Sequence, residues 1–191
     1  YDRERCRYGG QIVAEMTAHY MGKITHLDDR IGEIIEALKE RGNWENTVVV
    51  FSADHGDRMG EHGIVSKCGF EDGSVRVPLI IGGPAAPVAA PGRRNASPVS
   101  FLDLFPTFLD LAGAEIPDYC QATSLLPIVT GEADRTRDAV FSEIANGDSI
   151  NYMVRDSQWK WYVYGKSGRE CLFDMIADPH ETCNLVDSPD H

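Results

Sequence analysis

At 191 residues, with 42% apolar and 25% charged residues, the chain is long enough for one full core, or for a medium domain with a small appendage. A formal net charge of -12 excludes nucleic acid as a main partner, because the only short basic stretches are Arg3–Arg7 and Arg93-Arg94. No apolar run approaches the roughly 18 residues that cross a bilayer, and five cysteines, an odd number, are too few to build a disulfide framework.

The opening residues Tyr1-Asp2-Arg3-Glu4-Arg5-Cys6-Arg7-Tyr8 contain neither a starting Met nor an apolar signal segment. They read as the interior of a longer polypeptide or as a processed product, which leaves the compartment open. From Gly10 to Arg41 the apolar residues Ile12, Met16, Tyr20, Ile24, Leu27, Ile31, Ile34, Ile35 and Leu38 recur at helical spacing, and Gly42-Asn43 stops the helix. Thr47-Val48-Val49-Val50-Phe51 then predicts a buried strand. A helix, a short link and an apolar strand make half of a parallel βαβ crossover.

Residues 56–73 form a Gly-rich, charged loop without either periodicity, and Val77-Pro78-Leu79-Ile80-Ile81 predicts a second strand with Pro78 at its start. A Pro- and Gly-rich excursion over 82–98 carries Asn95-Ala96-Ser97, a glycosylation-acceptor pattern. Helices are expected at 101–112 and near 124–130, stopped by Gly113 and Gly131. The polar stretch 132–138 marks a boundary. Beyond it, four short strands at 139–144, 150–155, 159–164 and 170–173 predict an antiparallel meander. The expected organisation is therefore an α/β part over 1–135, a mostly parallel sheet flanked by helices, followed by a small antiparallel subdomain over 136–191.

Ser52-Ala53-Asp54-His55-Gly56-Asp57 follows directly on the first strand. In open α/β sheets the carboxyl ends of strands are where ligands bind. A carboxylate and an imidazole held there can grip a metal, although adjacent residues point to opposite faces unless the strand has already turned. A capping turn is the plain alternative. Two ligands complete no site, and Asp57, Glu61 and His62 are the nearby candidates for more.

Lys67 lies twelve residues beyond His55, among Ile64, Val65, Ser66, Cys68 and Gly69. Beside a metal it would bind an anionic group and steady charge on its oxygens; alone it would be a surface lysine. Arg76 could orient a carboxylate or a substrate, or pair with Glu71 or Asp72. His19 and His26 share a helix face without further metal-type residues. The alternation of Trp159, Trp161, Tyr162 and Tyr164 suits a partly buried strand. Hydrolysis of a stable ester also needs a nucleophile. Cys6, Cys68 and Ser66 are available but lack a base partner, and there is no Gly-x-Ser-x-Gly elbow.

Taken in order, Thr47–Gly63, Lys67, Phe70-Glu71-Asp72-Gly73-Ser74-Val75-Arg76-Val77-Pro78-Leu79-Ile80, Asp103–Gly113, Ser124-Leu125-Leu126-Pro127 and the Leu172–Leu185 tail resemble the C-terminal portion of a type I sulfatase, within the alkaline-phosphatase-like superfamily. The resemblance spans nearly all of the chain. It implies that Asp54 and His55 are ligands of one divalent metal ion, calcium or alternatively manganese. Lys67 would contact the sulfate or leaving-group oxygens; Arg76 and His62, read from the residues alone, are secondary candidates. Asp178, Pro179 and Glu181 would be structural.

The family's nucleophile is a formylglycine made from Cys or Ser in a Cys/Ser-x-Pro/Ala-x-Arg motif, preceded by a strand with two metal-binding aspartates. Neither is present in this sequence. The chain is therefore expected to be the C-terminal part of a larger sulfuric ester hydrolase, inactive alone, whose partners are a small anionic ester and the N-terminal part of the same domain. A phosphonate or phosphate monoester hydrolase is the near alternative, and a non-catalytic sulfatase-like binding module the more distant one.

Overall fold

The computed structural model describes residues 9–189, which divide into two compact units between Ala86 and Pro87. The division precedes the boundary expected at 135/136. The polar stretch 132–138 is held inside the second unit, because the Arg93 guanidinium donates to Asp134 at 3.1 Å and Arg137 donates to Asp103.

In the first unit, helix α1 (Gly10–Glu40) ends where Gly42 takes a left-handed φ of 70° and Asn43 N–H returns to the Leu38 carbonyl at 3.0 Å. The expected periodicity is present, yet none of the helix's residues is buried. Ile12, Met21, Ile24, Leu27 and Ile34 are each 48% exposed or more, while Met16, Tyr20, Ile31, Ile35 and Leu38 are half-buried, so the apolar stripe is only partly covered among the described residues. Strand β1 (Val49–Ser52) follows. Its partner is β4 (Leu79–Gly82), paired antiparallel with Val50 opposite Ile81. Every strand pair among the described residues is antiparallel, so β1 meets no parallel neighbour there and the crossover expected from the helix–strand order is not closed among them. Pro78 sits just ahead of β4, where its missing donor costs no ladder bond, and its carbonyl accepts from the Ser52 hydroxyl at 2.9 Å.

Between β1 and β4, the loop folds into a two-residue ladder of β2 (Arg58–Met59) with β3 (Val65–Ser66) and a one-turn helix α2 (Asp72–Val75). Among the described residues of this unit the buried ones lie here: Phe70 at 0% exposure, with Arg58, Gly69, Glu71 and Ser74. Gly60, at φ 96°, passes close to Val13 of α1, where any side chain would strike the valine methyls.

In the second unit, a 3-10 turn at Phe101–Asp103 opens α3 (Leu104–Leu111), in place of one continuous helix. Ser100 and Asp103 form a reciprocal capping box there. Helix α4 (Leu126–Thr130) is stopped by Gly131 in left-handed conformation. Asp103 and Thr107, both fully buried, tie these pieces together. Thr107 Oγ1 donates to the Asp103 carbonyl at 2.5 Å and accepts from Leu125 N–H at 2.8 Å, while Thr123 N–H donates to Asp103 Oδ1 at 3.1 Å.

The expected meander is a four-stranded antiparallel sheet in sequence order: β5 (Val140–Asn146), β6 (Ser149–Arg155), β7 (Trp159–Tyr164) and β8 (Arg169–Asp174). Met153, Tyr162, Cys171 and Phe173 are buried in its core, whereas Phe141 and Tyr152 are exposed. The tail returns to this sheet through Lys160 of β7, fully buried, whose Nζ donates to Glu181 at 2.7 Å. Cys171 and Cys183 do not bridge to each other: the first is buried and the second exposed. Cys6 and the basic stretch Arg3–Arg7 lie outside the described residues.

Candidate functional site

β1 delivers Asp54 and His55 to a turn that leaves the strand two residues after Ser52. The opposite-face rule for neighbouring strand residues no longer holds there. Asp54 Oδ2 and His55 Nε2 lie 3.5 Å apart, both on one side of the turn. Two adjacent ligands of a single cation, at bonds of about 2.2 Å, take about this separation. Asp54 also accepts from the His55 backbone N–H at 3.0 Å, which orients its carboxylate.

Gly56 locks the turn from beneath. Its N–H donates to the Ser74 carbonyl at 2.7 Å, and a Cβ at this position would overlap the Gly73 carbonyl. Only glycine allows that approach.

The His55 ring is fixed by both nitrogens. Nδ1 lies 2.8 Å from the Gly56 carbonyl, an acceptor only, so this nitrogen carries the proton. Nε2 lies 2.7 Å from Lys67 Nζ, a donor only, so it presents its lone pair. Both contacts select the same tautomer, with the Nε2 lone pair turned to Lys67; a cation would take that lone pair only with the ammonium moved off it. Thus the fold brings together Asp54, His55 and Lys67, three residues separated by up to thirteen positions, with Asp54 and Lys67 exposed and His55 half-buried.

The remaining candidates stand apart from this cluster. His62 is half-buried within a short 3-10 turn at a left-handed φ of 55°. The Arg76 side chain is 76% exposed and lies 3.8 Å from Asp72, which realises one of the two pairings expected for it. Glu71 is engaged elsewhere: it accepts from Arg58 at 2.9 Å in a buried pair. His19 and His26 are exposed on α1. Among the described residues no group of three or more His, Cys, Asp or Glu side chains gathers at one point, so Asp57, Glu61 and His62 do not complete a metal site with Asp54 and His55. The donor set fits part of a cation's coordination sphere, one hard carboxylate and one imidazole.

Sequence reasoning missed Arg58. Its only signal was an arginine inside a Gly-rich loop, and its partners, Ser66, Lys67 and Glu71, lie eight to thirteen residues downstream.

The site can be set beside known proteins. The sulfatase family model matches residues 2–114, and the model of the N-sulphoglucosamine sulphohydrolase C-terminal region matches residues 60–191. The chain belongs to the sulfatase family. It is 38% identical over 174 residues to the choline-sulfatase of Rhizobium meliloti (strain 1021), covering 89% of this chain and 33% of that protein. A solved 2-O GAG sulfatase superposes at a TM-score of 0.89 with 29% identity, covering 97% of this chain and 41% of the other. The phosphonate monoester hydrolase of Agrobacterium radiobacter superposes at 0.85 with 31% identity, covering 96% and 40%.

This sulfatase-family chain spans about a third of the length of the curated relatives it matches. Its fold is accordingly part of the alkaline-phosphatase-like fold, with the small four-stranded antiparallel sheet expected at its C-terminal end.

Proposed function

We propose that this chain is the C-terminal part of a metal-dependent sulfuric ester hydrolase of the formylglycine type, with the nucleophile supplied by sequence outside these 191 residues. The observation that carries the reading is the convergence of Lys67 Nζ on His55 Nε2 at 2.7 Å, beside the Asp54 carboxylate. A lysine on a flexible surface loop would point into water. This one is aimed at the ring that shares a turn with the candidate metal-binding carboxylate.

Asp54 Oδ2 and His55 Nε2 would hold a divalent cation, calcium or alternatively manganese. A cation held there would supply Lewis-acid polarisation of the ester oxygens. The Gly56 carbonyl keeps the His55 proton on Nδ1, so the Nε2 lone pair would pass to the cation as the Lys67 ammonium turns from the ring to the ester. Lys67 donates hydrogen bonds to the anionic ester and stabilises negative charge as the leaving-group oxygen separates. The substrate is a small anionic ester. The exposed apolar residues of α1 are covered by the remainder of the same domain, and the 191 residues alone do not turn over.

A second reading is favoured by the likeness to a phosphonate monoester hydrolase, at a TM-score of 0.85. A tetrahedral phosphonate monoester makes similar demands on a cation and a lysine. The experiment uses the full-length protein containing this chain, with matched aryl sulfate and aryl phosphonate substrates, before and after chelation and return of Ca²⁺ or Mn²⁺. Faster metal-dependent cleavage of the sulfate is expected. Faster cleavage of the phosphonate selects the second reading, and failure to cleave either overturns both. Turnover by the isolated chain would return Cys68 and Ser66 as candidate nucleophiles.

A further inference from the structure

We propose that Arg58 is a positioning residue that sets Lys67, and that the buried Arg58–Glu71 pair is part of the anion-binding apparatus although neither side chain reaches it. The inference rests on the reading of Lys67 as the anion-binding lysine.

Lys67 sits in an unusual stretch of backbone. The residues on either side of it, Ser66 at φ 82° and Cys68 at φ 78°, both take left-handed conformations without being glycine. Such conformations cost energy and persist only where the surroundings over-determine them. The surroundings here are one guanidinium. Arg58 Nε donates to the Ser66 carbonyl at 3.0 Å, and Arg58 Nη2 donates to the Lys67 carbonyl at 2.8 Å. Both carbonyls next to the strained positions are therefore held by one planar, rigid group.

The guanidinium is in turn held. Arg58 is 5% exposed, and its Nη1 donates to Glu71 Oε2 at 2.9 Å. Glu71 is 8% exposed, and it leads directly into α2, whose N–H groups at Ser74 and Val75 return to the Glu71 carbonyl. Glycines wrap the pair. A Cβ at Gly69 would overlap Glu71 Oε2 and come within 2.8 Å of Arg58 Nη1, and a Cβ at Gly73 would come within 3.1 Å of Arg58 Cγ. Gly73 also faces Gly56 beneath the Asp54-His55 turn. Arg58 thus stands between the two halves of the candidate site, which explains why a flexible lysine meets His55.

The geometry makes lysine a poor substitute at position 58. It keeps the charge and the stem but cannot send three directed bonds to Ser66, Lys67 and Glu71 at once. A displacement of about 1 Å in a substrate-binding group can cost about 100-fold in rate.

The test is a double-mutant cycle in the full-length protein on an aryl sulfate: Arg58→Lys, Lys67→Ala and the two combined, each with kcat, KM and thermal midpoint. Glu71→Gln, which keeps an acceptor of the same size, is the second probe. Arg58→Lys is expected to lower kcat/KM roughly 10- to 100-fold, mostly through kcat. In the Lys67→Ala background the same change is expected to alter kcat/KM less than about twofold, because the residue through which Arg58 acts is already gone. A loss that persists undiminished in that background overturns the proposal and makes the pair a general structural support. An Arg58→Lys enzyme of wild-type kcat overturns it as well. Loss of folding in both Arg58→Lys and Glu71→Gln does the same. If Lys67→Ala itself is silent, the reading of Lys67 fails first, and that result is separable from the others.

Discussion

Replacing Lys160 by Met removes one partner of the most completely buried ion pair in the second unit. Lys160 has 0% exposure and Glu181 3%, and the two meet at 2.7 Å. Met fills nearly the same volume, so little of the effect comes from a cavity. The effect comes from the Glu181 carboxylate, left inside the protein without its cation. Breaking a buried pair from one side costs about 3–5 kcal/mol, whereas replacing both partners with apolar residues is often neutral. With a urea dependence of about 2 kcal/mol per molar, Lys160→Met lowers the unfolding midpoint by about 2 M. The Lys160→Met/Glu181→Leu variant recovers most of that loss. Tryptophan fluorescence reads the transition, because Trp159 and Trp161 flank Lys160 in β7. A midpoint shift below about 0.5 M for the single variant, or a double variant that loses the sum of the two single losses, would refute the reasoning.

Thr107→Val leaves the buried Leu125 N–H without its hydroxyl acceptor and is expected to cost about 1–3 kcal/mol, read as a lowered thermal midpoint; an unchanged midpoint contradicts it. Burial alone would push the Asp178 carboxyl up, but donors from Cys183 and Thr182 and the nearby His180 hold it below its usual 3.8. A depressed carboxyl stabilises the folded state above its unfolded value and ceases to do so as pH falls through the folded value. The stability difference between the wild type and Asp178→Asn is therefore full at neutral pH and closes in acid below 3.8, which urea unfolding across that range measures. Gly56→Ala drives a methyl into the Gly73 carbonyl and displaces the Asp54-His55 turn. Mn²⁺ affinity of the full-length protein, followed by electron paramagnetic resonance, is expected to fall roughly 10- to 100-fold.

Local patterning made much of this fold legible. The meander over 140–174 announces itself because alternation along each strand requires only neighbours a few residues away, and the helix over 10–40 does so through its three- and four-residue spacing. The position of Asp54-His55 after an apolar strand was equally plain. Partners were not. Arg76 and Arg58 compete for the same stretch of acids, and nothing in the spacing says that Glu71 turns inward to Arg58 while Asp72 takes Arg76. Lys160 with Glu181, and Asp103 with Arg137, are likewise long-range pairs that only the folded chain defines. The left-handed backbone at Ser66 and Cys68 was invisible for a related reason. Neither residue favours it, and tertiary contacts impose it. The direction of β4 was hidden too, because an apolar run of four or five residues suits either a parallel or an antiparallel neighbour.

The central claim is that Lys67 works on the ester beside Asp54 and His55. Its most direct test is kcat/KM of the full-length protein and its Lys67→Ala variant on an aryl sulfate, with the fold of both verified by circular dichroism. Loss of one such electrostatic contact in the transition state predicts a fall of about 10²- to 10³-fold with the fold intact. A change below about twofold would contradict the account and remove Lys67 from the chemistry.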